Sequence, residues 1–180
     1  MEFGIQNYCK RWQISDELIA RPITFEDTED VVRWRNLPEV RHYFIFQKPF
    51  TNDSHNEWMR TKVLTGQVEQ FIVEVMPEHS SIGSVYLRDI DMTSKTAEYG
   101  IFIGEKKAQH HGYGTKMVKW ILLYAKDVLN LEHISGRIYA DNNASLAVAE
   151  HAGFTVIKKV EDYVQIDGAW RDMVFLNKDL

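Results

Sequence analysis

The sequence predicts one α/β (α+β) domain with a mixed, mostly antiparallel central sheet, flanking helices and a C-terminal β-hairpin. Three observations carry this prediction. The chain has 180 residues, suited to a single core, and no internal repeat or Pro/Gly-rich linker divides it. Residues 71–76, 81–90 and 96–104 are β-branched or aromatic runs separated by short turn-like segments, the pattern of an antiparallel meander. Beyond them the order is strand, glycine-containing loop, helix, strand, helix, and then two β-rich runs joined by Asp167-Gly168, a strong local hairpin signal.

In chain order, residues 17–25 read as a first strand, with Leu18, Ile19 and Ile23 around Pro22. The segment 1–17 is an extension with no evident role. Thr24 with Asp27 three residues on is a loose capping signal for a helix through Val31, Val32 and Trp34. That helix ends near Asn36, because Pro38 disfavours helical geometry at Leu37, and a short helix over 39–44 follows. Thr51, Asn52 and Asp53 offer caps for a third helix, whose buried face is expected at Trp58, Met59, Val63 and Leu64.

After the meander, a polar loop over 105–114 leads into a long helix over about 114–129. Met117, Ile121, Tyr124 and Val128 form one apolar stripe on it, and Val118, Leu122, Ala125 and Leu129 the next, with Lys116, Lys119 and Lys126 outside. A strand over 133–140, a helix over 142–152 and a hairpin over 155–166 and 169–176 complete the series. Trp12, Trp120 and Trp170 are expected to be packing residues.

Composition excludes several classes. Hydrophobic residues at 44% and charged residues at 26% argue against disorder and fibrous architecture. No apolar run approaches the roughly 20 residues that cross a bilayer, so no membrane partner is expected. The first ten residues lack an apolar signal core, and Cys9 is the only cysteine; a cytoplasmic location is the expectation. With 21 basic and 26 acidic side chains the net charge of −5 disfavours nucleic acid and mildly favours cationic partners such as amines.

The segment Gln109-His110-His111-Gly112-Tyr113-Gly114 sits after a strand and opens a helix. Several backbone N–H groups can therefore converge there with the positive helix end behind them, which makes an anion site. The glycines remove Cβ atoms where a phosphate would approach, and Lys106 and Lys107 could add charge. A surface turn is the plain alternative. A Walker loop would need Gly-Lys-Ser/Thr, but Thr115-Lys116-Met117 follows Gly114. A dinucleotide fold would need a small residue at Met117 and a βαβ opening before it. Adjacent His110 and His111, without a further paired ligand, do not make a metal site, and no metal is expected.

The strand Ala97-Glu98-Tyr99-Gly100-Ile101-Phe102-Ile103-Gly104, followed by Gln109-x-x-Gly112-x-Gly114, resembles the fourth strand and pyrophosphate loop of the GNAT superfamily of N-acetyltransferases. Asp141-Asn142 and Ala152-Gly153-Phe154 are similar to that family's later motif. Trp34-Arg35-Asn36-x-Pro38-Glu39-Val40-Arg41 and Ser54-His55-x-x-Trp58 resemble the branch with ribosomal-protein alanine acetyltransferases and pseudaminic-acid amino-sugar acetyltransferases. Together the similarities span about residues 18–180.

The resemblance implies acetyl-CoA as co-substrate and a primary amine of a small molecule or a peptide N-terminus as acceptor; a homodimer is compatible with it. It implies a bulge that splays the fourth strand from the fifth, with acetyl-CoA bonded to the backbone of Ile101, Phe102 and Ile103. Gln109, His111, Gly112, Tyr113, Gly114 and Thr115 would hold the pyrophosphate, and Asn142 the pantetheine arm unless it simply caps its helix. Glu98 shares a strand face with Gly100 and Phe102 and is the candidate base, the alternatives being an arginine-paired strand glutamate and a water relay. The tyrosine that many relatives use to protonate the thiolate is replaced by Ala149. Ser145, in Asn142-Asn143-Ala144-Ser145, could bond the sulfur or be an ordinary first-turn serine. Trp34, Asn36 and Tyr43 are the candidate acceptor-pocket residues. A catalytically silent CoA-binding module is the competing class, supported by Ala149 alone.

Overall fold

The structure, a computed structural model, describes residues 10–180; Cys9 and the segment before it lie outside the described residues. Strands β1 (Trp12–Ser15), β2 (Leu18–Pro22), β3 (Val68–Val75), β4 (Ser80–Asp91), β5 (Thr96–Ile103), β6 (His133–Tyr139), β7 (Thr155–Ile166) and β8 (Ala169–Asp179) form one sheet in the order β1-β2-β3-β4-β5-β6-β8-β7. Every pairing is antiparallel except β5 with β6. The meander and the hairpin are thus where the alternation and the Asp167-Gly168 turn put them. Asp167 and Gly168 both adopt positive φ, as a tight hairpin turn requires. The hairpin lies with β8 against β6 and β7 at the sheet edge. Part of the N-terminal extension also joins the sheet, since Trp12 pairs with Ala20 on β2 and its ring meets Phe71 edge-on at 5.4 Å.

Five α-helices among the described residues cover the two faces: α1 (Thr28–Asn36), α2 (Pro38–Arg41), α3 (Asn52–Trp58), α4 (Tyr113–Asp127) and α5 (Asn143–His151). A π-helical turn over Met59–Val63 continues α3. The strand alternation assigns the faces, as β3 shows. Phe71 and Val73 pack with Met117, Val118 and Ile121 of α4, while Ile72 packs with Val31, Trp34 and Met59 on the opposite side. No helix of the described residues is long and apolar enough to cross a membrane.

Four expectations are corrected. Val128, expected in the buried stripe, is 47% exposed because α4 ends at Asp127 and the chain turns off its axis there. Leu64 is exposed as well, lying beyond the π turn, and the buried face of α3 includes His55 instead. Trp170 is exposed in the hairpin, one residue past its turn, whereas Trp120 packs in the core. The second helix is also shorter than expected, ending at Arg41, and Tyr43 and Phe44 belong to the loop beyond it.

Candidate active site

β5 and β6 pair only through Thr96–His133, Ala97–Ile134 and Glu98–Ser135, after which they separate. β5 stays paired with β4 on its other edge as far as Ile103, and β6 with β8 as far as Tyr139. Backbone N–H and C=O groups along residues 99–103 therefore face a gap with no strand partner, in a fold where such groups are otherwise paired.

The splaying occurs without the expected bulge in β5. The β4–β5 register is unbroken from Gly83–Ile103 to Arg88–Glu98, and its one irregularity falls between Arg88 and Asp91, at the other end. The Tyr99 ring lies over Gly136, where a Cβ would stand 2.5 Å from Tyr99 Cε1, and packs on Phe154 at 4.7 Å; the glycine makes room on the sheet face for the ring where the pairing stops.

The gap opens into a cavity of about 1130 Å³ lined by β5, the residue 109–114 loop, α4, α5 and the α1–α3 segment. His110 and Gly112 both adopt positive φ, and α4 begins at Tyr113. Space around Gly112 is open, so glycine is needed there for its left-handed backbone. Gly114 packs closely on α5: a Cβ would stand 3.2 Å from Val148 Cγ2, a tight contact. Gln109 ties the loop to the strand, its Nε2 donating to the Ile103 carbonyl at 3.3 Å. Ile101, Phe102, Ile103, Gln109, Gly112, Tyr113, Gly114, Thr115 and Asn142 all line the cavity together. His111 does not; its exposed ring stacks on Tyr113 at 5.4 Å, leaving only its backbone to contribute. Lys106 and Lys107 are exposed on a 3-10 turn and are not part of the wall.

Asn142 caps α5, its Oδ1 accepting from the Ser145 N–H at 3.1 Å, and Ser145 itself lines the cavity. Ala149 is buried in the core among α4 residues, one turn further along. Glu98 lies on the cavity wall with both carboxylate oxygens engaged. Arg88 donates to Oε1, and Arg137 Nε donates to Oε2 at 2.9 Å. The arginine-paired alternative is thus the geometry this glutamate adopts.

Of the candidate acceptor residues, Tyr43 lines the cavity, partly exposed under the Arg171 guanidinium. Trp34 and Asn36 do not. Trp34 is fully buried against Gly104, whose Cβ position would fall 2.0 Å from the indole, and its Nε1 donates to Glu105 Oε1 at 2.8 Å. Asn36 clamps the following loop, exchanging two 2.8 Å bonds with the backbone of Phe50. These bonds hold both side chains outside the cavity wall.

Several cavity residues had no role from the sequence. Arg35, next to Trp34, enters the wall from α1, and His55 enters it from α3. Burial pulls the Arg35 guanidinium pKa down to about 10 and the His55 imidazole down to about 4. At the end of β6, the Tyr139 hydroxyl is buried without a hydrogen-bond partner, and the Arg171 guanidinium lies 3.8 Å from its ring centre. Burial raises the Tyr139 pKa, against the pull of Arg171, so the phenol keeps its proton. The signal available for Arg35 was the stripe Val31–Trp34, which puts the next residue at the edge of the buried face.

Residues 17–155 match the family described as acetyltransferase (GNAT) domain. The acetyltransferase PseH of Campylobacter jejuni is 21% identical over 141 residues, covering 78% of this chain and 85% of that protein. An uncharacterized protein of Methanocaldococcus jannaschii is 28% identical over 155 residues, covering 84% of this chain. This chain spans 31% of that protein's length. Among solved structures, the spermidine N-acetyltransferase of Vibrio cholerae in complex with CoA and spermine superposes with a TM-score of 0.85 at 21% identity, covering 92% of this chain and 96% of that one. With the domain match spanning most of its length, the chain belongs to the GNAT acetyltransferase family.

Proposed function

We propose that this protein transfers the acetyl group of acetyl-CoA to a primary amine, by direct attack of the amine on the thioester, in the cytoplasm. The observation that carries the proposal is the joining of two features in one cavity: the unpaired β5 backbone at residues 99–103 and the N–H groups at the start of α4. The second suits a pyrophosphate, since a helix start offers free N–H donors and positive potential. The first suits an extended pantetheine arm, which can take the hydrogen bonds a neighbouring strand would otherwise make. Thus the residues present fit acetyl-CoA, which supplies the activated acetyl group when bound.

Within that frame each side chain has a task. A β5 backbone N–H donates to the developing oxyanion, a contribution typically worth about 3 kcal/mol. Glu98 accepts from two guanidinium groups, so taking a proton would cost it charge-assisted bonds; its task is to hold Arg88 and Arg137 in the wall, and the amine proton leaves through water. With Ala149 where a tyrosine acid would stand, the Tyr139 and Ser145 hydroxyls are the candidates to protonate the departing thiolate. The acceptor is an amino-sugar nucleotide or a protein N-terminus, as the resemblance of Trp34–Arg41 and Ser54–Trp58 implies.

The test is a thiol-release assay with acetyl-CoA against amino-sugar nucleotides, Ala- and Ser-starting peptides and polyamines, run beside a calorimetric CoA titration. Acceptor-dependent release is expected. Saturable CoA binding with no release across the panel would favour the silent binding module, and absence of CoA binding would overturn both.

A further inference from the structure

Arg35 is only 9% exposed, lies in the cavity wall, and its Nη1 is buried with no hydrogen-bond partner among the described residues. The guanidinium sits 3.2 Å from the ring centre of Phe44 and 4.7 Å from that of Phe50. Aromatic faces offset part of the cost of burying a cation but offer no acceptor for its N–H donors. No carboxylate among the described residues forms a salt bridge with it. Arg88 is a neighbouring charge of the same sign; Glu98 is occupied by Arg88 and Arg137, and Asp27 by Arg21.

A buried cation with no counter-charge is unstable in isolation, which is why such groups in native proteins are paired or face a charged ligand. His55 adds a second unpartnered polar atom to this wall. Its ring is 1% exposed, Nδ1 is engaged by Thr28 Oγ1 at 3.1 Å, and Nε2 is buried without a partner in the wall of the same cavity. The Thr28 hydroxyl donates its one hydrogen to Asn56 Oδ1 at 2.9 Å and therefore accepts from His55 Nδ1–H, which leaves Nε2 of the neutral ring an acceptor in the cavity wall.

We infer that the amine acceptor carries an oxyanion group, phosphate or carboxylate, received by the Arg35 guanidinium on the α1–α3 wall of the cavity. This rests on the cavity being the acceptor half of an acetyltransferase. A flat guanidinium held between aromatic rings presents a fixed fork to such a group, which prepays the ordering of the side chain. It also disfavours a substrate that is only cationic: Arg35, Arg88 and Arg137 line the cavity against the carboxylates of Glu98 and Glu39, and the ion pairs of Glu98 leave Arg35 uncompensated. The acceptor is therefore anionic at one end and an amine at the other, unlike a simple polyamine.

The test is calorimetric titration of the full chain, with and without saturating CoA, using uridine diphosphate, glutarate, uridine and spermine as probes. Wild type is compared with R35Q and R35K. One of the two anions is expected to bind, with uridine and spermine at least about 10-fold weaker, and R35Q is expected to lose about 10-fold or more of the anion affinity. R35K retains an intermediate affinity, and CoA affinity is unchanged in both variants. Response to uridine diphosphate names a phosphate, and response to glutarate a carboxylate. Equal anion binding by wild type and R35Q, spermine binding above both anions, or no anion binding at all would overturn the inference. Loss of CoA binding by the wild type would instead overturn the acetyltransferase reading, and the titrations without CoA would still report on Arg35.

Discussion

Arg137 Nε donates to Glu98 Oε2 at 2.9 Å across the last rung where β5 and β6 still pair, Glu98–Ser135. The ion pair stands at the apex of the gap, with Arg88 on the other carboxylate oxygen. If Glu98 fixes these arginines and does not take the amine proton, Glu98→Gln lowers turnover by less than about 10-fold and leaves the acidic limb of the pH–rate profile in place. Disappearance of that limb would make Glu98 the base.

Tyr139 offers a sharper contrast between activity and stability. Its hydroxyl is buried and unpartnered, so Tyr139→Phe removes a desolvated polar group without breaking a bond, and the melting temperature should hold or rise. If the hydroxyl protonates the leaving thiolate, kcat falls by about 100-fold in the same variant. Unchanged kcat would leave Ser145 as the donor, to be checked by the corresponding Ser145→Ala kinetics.

At the loop, Gly112 holds φ +72 immediately before α4. Gly112→Asp sets a carboxylate at the expected pyrophosphate position, and CoA affinity should fall by more than about 10-fold in a calorimetric titration. A circular-dichroism melt confirms that the variant is folded, and wild-type CoA affinity in a folded variant would remove the loop from the site.

His55 makes stability depend on pH. Burial, with Arg35 adding to it, lowers its pKa to about 4 in the folded chain from an ordinary 6.5. The folded state therefore favours the neutral ring. The stability this ring contributes is present above about pH 6.5 and is lost as pH falls towards about 4. At about pH 5.5 the loss amounts to about 1.4 kcal/mol, a drop of roughly 3–6 °C in Tm. His55→Asn should be less stable at neutral pH yet lack that part of the acid slope. The carboxylates of Asp27 and Glu74, held low by hydrogen bonds from Arg21, add their own sensitivity only at more acidic pH. A parallel slope in the variant would exclude His55 as its source.

What the sequence determined by itself is whatever depends on near neighbours in the chain. Periods of two and 3.6 residues located the meander and buried one face of α4, Thr51 capped α3, and Asp167-Gly168 turned the hairpin. The glycine loop was legible for the same reason, since its geometry is a property of six consecutive residues. Tertiary structure decided what those patterns face. Trp34 and Arg35 are adjacent on one helix, yet the indole is sealed under Gly104 while the guanidinium enters the cavity. The periodicity marked a buried stripe without saying whether its edge met core or cleft. Glu98 acquired its two arginines from positions 10 and 39 residues away, Tyr99 found Gly136 as the residue that makes room for its ring, and Tyr139 lost its hydrogen-bond partners by burial. Such contacts form only when strands far apart in the chain pair side by side, and the chemistry of this cavity is built from them.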